Sequence, residues 1–247
     1  RKVQLGLLPR RPPQVAGLDL YAASRPALQV GGDFYDFYVT GAHSGSTWNS
    51  TRDMAQCAVF AVGDVTGKGI SAALLMAMTR TALRVVVGEL AAEYSPADIL
   101  KHANADLYDD FTEVDMMASI FVGQYDANSQ LLTYANDGHS PVILCRRGEH
   151  ARLLMADGPM VGVLPMSLAQ NQSVPFARGD VLAILTDGFN EAANASGEFF
   201  GIERLEQLIE ETSELPAQAI GERLHAEVEQ FSAPHAQEDD QTLIIVK

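Results

Sequence analysis

The chain has 247 residues, 47% of them hydrophobic and 20% charged, which is enough apolar material for a large core without covalent staples. A formal net charge of -15 disfavours phosphate backbones and anionic membranes, so no nucleic-acid or lipid partner is expected. The two cysteines, Cys57 and Cys145, sit singly in apolar runs and the six histidines lack metal-ligand spacing; this argues against disulfides and zinc and for a reducing, cytoplasmic setting.

Arg1–Leu8 reads as the last turns of a helix, with Val3, Leu7 and Leu8 on one face and Pro9, Pro12 and Pro13 ending it. A chain that opens inside a helix is expected to be a piece of a longer protein. Leu18–Ala23 and the aromatic-rich Asp33–Thr40 read as strands, and Gly41–Asp53 as a long polar loop. Ala58–Val62 is a buried strand that stops at Gly63. Asp64 stands at its mouth, the glycine loop of Gly67 and Gly69 follows, and a helix begins at Ser71.

That helix, to about Val87, is apolar almost all round and is expected to be buried against a sheet. No apolar run is read as long enough to span a membrane, and no signal peptide is seen. Ser95-Pro96-Ala97-Asp98 is an N-cap, a Pro at the first position and an acid in the first turn, so the next helix runs to about Phe111. Ala118–Tyr125, Gln130–Ala135 and Val142–Arg146 read as serial strands, Leu153–Gln172 as irregular, and Asp180–Leu185 as a strand. Ile202–Glu211 and Pro216 to about Phe231 read as helices, and Thr242–Val246 closes the chain as a strand. Strands in adjacent runs with helices clustered between them predict an α+β fold, with antiparallel sheets and helices packed outside. No linker divides the chain.

The recurring feature is a carboxylate at the end of an apolar strand. Asp64 follows Ala58–Val62, Asp187 follows Val181–Leu185, Asp239 and Asp240 precede Thr242–Val246, and Asp33 and Asp36 flank an aromatic pair. Any one of them reads equally well as a turn residue or cap. Together they suggest one rim of a sheet and hard divalent cations, because buried carboxylates are costly without a partner. A two-metal site needs several carboxylates with at least one bridging ions roughly 3.5–4 Å apart. Asp33, Asp64, Asp187 and Asp239 can supply that set; adjacent strand residues face opposite ways, which turns Asp240 aside. The loop GDVTGKGI is not a phosphate loop, since Lys68 is followed by Gly rather than Ser or Thr. Its glycines serve either a plain turn or a close backbone approach to a metal, and spacing leaves both open. Asn136-Asp137-Gly138-His139 is read as a hairpin turn, with a polar latch or general acid as the sharper option. Glu191 and Asn194 are read as turn residues.

With these pieces in order, the chain resembles the metal-dependent PPM-type protein phosphatases, in the bacterial SpoIIE/RsbU-like branch. The resemblance is carried by Gln4–Pro9 (QLGLLP), Val30–Phe37 (VGGDFYDF), Gly63–Met76 (GDVTGKGISAALLM), Tyr134–Pro141 (YANDGHSP), Gly179–Ala192 (GDVLAILTDGFNEA), Phe200–Leu205 (FGIERL) and Asp239–Val246 (DDQTLIIV). It implies a four-layer αββα sandwich, two antiparallel sheets flanked by helices, over residues 1–247 as a single phosphatase domain. Residues 1–10 would be the end of a linker helix from an upstream sensor or receiver domain. It implies two Mn²⁺ or Mg²⁺ ions held by Asp33, Asp64, Asp187, Asp239 and the backbone carbonyl of Val65, with Asp64 bridging and Asp64 and Asp187 catalytic through a metal-activated water. It implies phosphoserine or phosphothreonine on a protein as substrate, in this branch a STAS-domain antagonist of an anti-sigma factor, and a possible homodimer.

Three positions depart from the wider pattern. Thr66 stands where eukaryotic members have the His often assigned as general acid; Gln29 sits near the place of their phosphate-binding Arg; Asp137 stands where the branch usually has Ala. Two other classes of function remain in play: a pseudophosphatase that only binds a partner, and a hydrolase of small phosphoesters. Calorimetric titration with Mn²⁺ separates the first from an enzyme, and a comparison with phosphopeptides separates the second.

Overall fold

A computed structural model describes residues 2–40, 57–90 and 95–247. The predicted loop Gly41–Asp53 lies outside the described residues. In chain order the elements are α1 (Lys2–Leu7), β1 (Leu20–Arg25), β2 (Phe34–Thr40), β3 (Cys57–Val65), α2 (Ile70–Leu90), α3 (Pro96–Glu113), β4 (Ala118–Asp126), β5 (Leu131–Asp137), β6 (Val142–Cys145), β7 (Arg152–Leu153), β8 (Gln172–Pro175), β9 (Val181–Leu185), α4 (Ile202–Thr212), α5 (Ala217–Ser232) and β10 (Gln241–Val246). They form two five-stranded antiparallel sheets, ordered β1-β10-β9-β6-β7 and β2-β3-β4-β5-β8.

The layering follows from strands that are apolar on both faces. In β9, Leu182 and Ile184 join the core between the sheets, while Val181, Ala183 and Leu185 join a second core under α4 and α5. A period of two sorts them, and a strand covered on both sides tolerates no polar alternation. In β10, Ile244 and Val246 face the first core and Leu243 and Ile245 the second. On the other side, α2 packs on β2 and β3 and α3 on β4 and β5. The result is the expected sandwich of two sheets between helical layers.

Three sequence expectations change. First, β3 does not stop at Gly63: Gly63 and Asp64 stay in the ladder opposite Ile120 and Ser119. Second, α2 is not buried all round. Ile70 (74% exposed), Leu74 (63%), Met78 and Val85 form an outward apolar stripe, while Met76, Leu83 and Val87 are buried. Over Ile70–Gly88 this helix is long and apolar enough, by composition, to cross a bilayer (mean hydropathy 1.6), contrary to the sequence reading. Its inner face instead packs on the sheet, and its Arg80 and Arg84 are ion-paired with the buried Asp36 of β2. Third, the irregular stretch before β9 ends in β8, an edge strand pairing with β5 from Leu131↔Pro175 to Tyr134↔Gln172.

Candidate active site

Antiparallel pairing decides which strand ends meet. The start of β2 lies against the end of β3 (Phe34↔Gly63), so Asp33 and Asp64 emerge at the same edge. The end of β9 lies against the start of β10 (Leu243↔Leu185), and the ladder continues through Thr186 N–H to the Thr242 carbonyl (3.0 Å), bringing Asp187 beside Asp239 and Asp240. The two pairs belong to different sheets, and a side-chain bond reaches across between them: the Thr186 hydroxyl donates to Asp33 Oδ2 at 2.7 Å. Thr186 also receives the Thr242 amide on that oxygen. Its role is absent from the sequence reading, although it sits in the same LTDG run as Asp187.

Backbone shape brings a carbonyl to the rim as well. A side chain at Gly32 would strike the Val65 carbonyl oxygen at 2.3 Å and Asp64 Oδ1 at 2.9 Å. Gly32 is thus a position where the rim admits no side chain. That loop is held from behind: Gln4 of α1 donates to the Gly31 carbonyl (2.6 Å) and accepts from the Gly31 amide (3.1 Å).

The carboxylates act on one another. Burial, then the Asp64 charge, holds Asp33 well above the usual carboxylate range. Burial, then Asp187, pushes Asp64 up to about 7, with Asp239 and Asp240 adding to it. Burial, then Asp239 and Glu191, pushes Asp187 up to about 6. Among the described residues no three Asp, Glu, His or Cys side chains close into a ready-made cage. Desolvated carboxylates that mainly repel each other, a carbonyl approached by a glycine, and an all-oxygen donor set fit hard dications such as Mg²⁺ or Mn²⁺.

The neighbouring acids have other partners. Asp36 is buried mid-strand with Arg80 Nε at 2.9 Å and Arg84 at 2.8 Å, away from the rim. Asp240 turns to the preceding loop, accepting the Ala27 amide at 2.8 Å, and adds its charge to the rim from behind. Glu191 donates its amide to the Asp187 carbonyl, and Asn194 caps the turn to Glu198.

Thr66 is tied to the neighbouring strand. Its hydroxyl accepts the Met117 amide (3.0 Å) and its own amide donates to the Met117 carbonyl (2.8 Å), fastening the loop to the start of β4. Gln29 is exposed. His139 is buried, and desolvation pushes it down to about 4, so it is neutral at pH 7 and screened from substrate. Its Nδ1 shares a hydrogen bond with the Ser119 hydroxyl at 2.9 Å, and Ser119 is the ladder partner of Asp64. Asn136 closes the turn by exchanging two 2.8 Å bonds with the His139 backbone. This is the geometry of a latch under the rim.

Comparison with known proteins bears on the family and the fold. Residues 55–247 match the family model described as Stage II sporulation protein E (SpoIIE). Protein IcfG of Synechocystis sp. is 29% identical over 232 residues, 83% of this chain and 34% of that protein. Phosphoserine phosphatase RsbU of Bacillus subtilis is 27% identical over 249 residues, 99% of this chain and 68% of that protein. The chain thus spans about a third of one of these relatives and about two thirds of the other. Among solved structures, the SiaA-PP2C domain of Pseudomonas aeruginosa superimposes with a TM-score of 0.77 at 22% identity, covering 92% of this chain and 84% of that one. The chain belongs to the SpoIIE family.

Proposed function

We propose that this chain removes phosphate from phosphoserine or phosphothreonine on a protein, at a site where Asp33, Asp64, Asp187, Asp239 and the Val65 carbonyl hold two dications, Mn²⁺ or Mg²⁺. The observation that carries the reading is the meeting of these oxygens at one rim from two different sheets, with Thr186 bonded to Asp33 across the gap. Bound there, the cations would supply a water of lowered pKa and neutralise charge on the phosphoryl oxygens.

The chain's own residues do the placing. Asp64, fixed in the β3–β4 ladder with Asp33 and Asp187 acting on its carboxyl, is the residue that would be shared between the cations. Asp187 and Asp239 would serve from the first sheet, and Thr186 and His139 hold the two sides in register. Net, water adds to phosphorus, the bond to the seryl oxygen breaks, and the products are a serine hydroxyl and inorganic phosphate. The similarity to a phosphoserine phosphatase supports a phosphoprotein substrate. Within that class we favour a STAS-domain anti-sigma antagonist, acted on in the cytoplasm under control of an upstream domain and with dimerisation as one route of control.

The test is Mn²⁺-dependent phosphate release from phosphorylated STAS proteins and phosphopeptides by wild type, Asp64→Asn and Asp187→Asn. Both variants should lose at least ~10³-fold in turnover if the oxygens they contribute are essential to the metal-activated water. Turnover retained in either variant would refute the assignment. Mn²⁺ binding without turnover on any phosphoester would point instead to a binding module.

A further inference from the structure

The rim carries its own cation. Lys68 Nζ lies 3.0 Å from Asp239 Oδ2 and donates to the Glu238 carbonyl at 2.8 Å. Among the described residues, no other ion pair includes a rim carboxylate. The placement is built by the loop. Thr66 pins its base to Met117, and Gly67 and Gly69 take φ values of +90° and +79°, which L side chains rarely adopt, so Lys68 projects between two bends. The side chain is half exposed and lines a cavity of about 270 Å³ together with Asp239, Glu191 and Phe199.

A loop lysine that only anchored its loop would need no open space beside it. Here the ammonium stands at the boundary between the carboxylates and a cavity large enough for a substrate side chain. Once a dication serves Asp239, that carboxylate no longer needs the ammonium, and the two cations repel at this separation. A flexible four-carbon stem lets the ammonium leave by rotation alone. A phosphomonoester dianion beside the cations is the nearest new partner for it, and among the described residues no arginine is ion-paired with a rim carboxylate to compete for that role.

We propose that Lys68 is the residue that binds the substrate's phosphoryl oxygens, paired with Asp239 when the rim is free of metal and turned to phosphate when the rim is loaded. This rests on the phosphatase reading of the same site. No bond is made or broken in the exchange; a charged hydrogen bond is handed from carboxylate to phosphate.

Calorimetry on the full chain tests it, with Mn²⁺ titrated into metal-free protein and inorganic phosphate into Mn²⁺-saturated protein. Lys68→Gln should weaken phosphate binding about 10-fold, the scale of one charged hydrogen bond, and leave Mn²⁺ binding equal or tighter because a competing cation has gone. Lys68→Arg should restore phosphate binding to within a fewfold. Unchanged phosphate affinity in Lys68→Gln overturns the proposal. So does weaker Mn²⁺ binding in that variant, which would make Lys68 a loop anchor. A wild type that binds no Mn²⁺ would instead remove the phosphatase reading itself.

Discussion

Asp33 and Asp36 are three residues apart, yet the fold gives them opposite tasks. Asp33 stands just before β2 with the Thr186 hydroxyl and other acids around it; Asp36 is paired with two arginines from α2. The sequence showed both as acids beside aromatic residues. It placed Asp33 and not Asp36 in the ligand set, but it could not name the partners of either, because Arg80 and Thr186 come from distant parts of the chain. Asp137 is a third case. It is fully buried, no well-formed hydrogen bond satisfies either of its oxygens, and burial pushes its carboxyl up to about 6 against a weaker opposing pull from Ser167 and the Ala169 amide. A raised acid pKa means that the folded state keeps a proton that the unfolded chain releases from about pH 4 upward. Stability therefore falls as pH rises through the window from about 4 to 6 and stays reduced above it. Two pH units correspond to about 3 kcal/mol at most. Asp137→Asn keeps the shape without the charge, so it should be more stable than wild type by ~2 kcal/mol at pH 8 and no more stable at pH 4. Urea unfolding at both pH values decides it; a less stable variant at pH 8 would mean that the carboxylate is bonded in solution.

Elements were legible where their signal is local. The capping box of α3 is complete: Ser95 Oγ accepts the Asp98 amide and Asp98 accepts the Ser95 amide. Strands β4, β5, β9 and β10 announce themselves as apolar runs. β8 (QSVP) did not, because an edge strand paired on one side needs neither a continuous nor a long apolar pattern. α2 misled for a different reason. Apolar residues on every face predict burial on every face, but its outer stripe of Ile70, Leu74 and Met78 is exposed, and composition cannot say which apolar face the sheet takes. Neighbouring positions on this helix should therefore respond very differently to truncation. Met76 is completely buried and Leu74 is 63% exposed. Met76→Ala should cost about 2–4 kcal/mol through lost transfer energy and a cavity, whereas Leu74→Ala should stay within about 0.5 kcal/mol. Chemical denaturation of the two variants measures the contrast, and equal losses would mean that the outer face is covered in solution.

At the scale of the molecule, the site is a seam. The first sheet brings Asp187 and Asp239 to it and the second brings Asp64, with Asp33 and the Val65 carbonyl beside it. The position of the seam was readable as acids at strand ends; the pairing of those ends across two sheets was not, since register between distant strands leaves no local mark. Without a cation the seam holds buried acids side by side; burial first, and then their mutual repulsion, raises Asp64 and Asp187 above their ordinary range. A cation bound there both cancels that repulsion and ties one sheet to the other, so it should stabilise the fold as a whole. Each site filled at 100 times its dissociation constant adds about 2.7 kcal/mol, provided the unfolded chain does not bind. Mn²⁺ should accordingly raise the melting temperature by several degrees and a chelator should reverse the rise. Asp64→Asn separates the two effects. Removing the central charge relieves repulsion, so the metal-free variant should melt at or above the metal-free wild type, yet it should gain little from Mn²⁺ because the shared ligand is lost. If the variant gained as much from Mn²⁺ as wild type does, the cations would not be meeting at this seam, and the placement of Asp64 between the sheets would need another explanation.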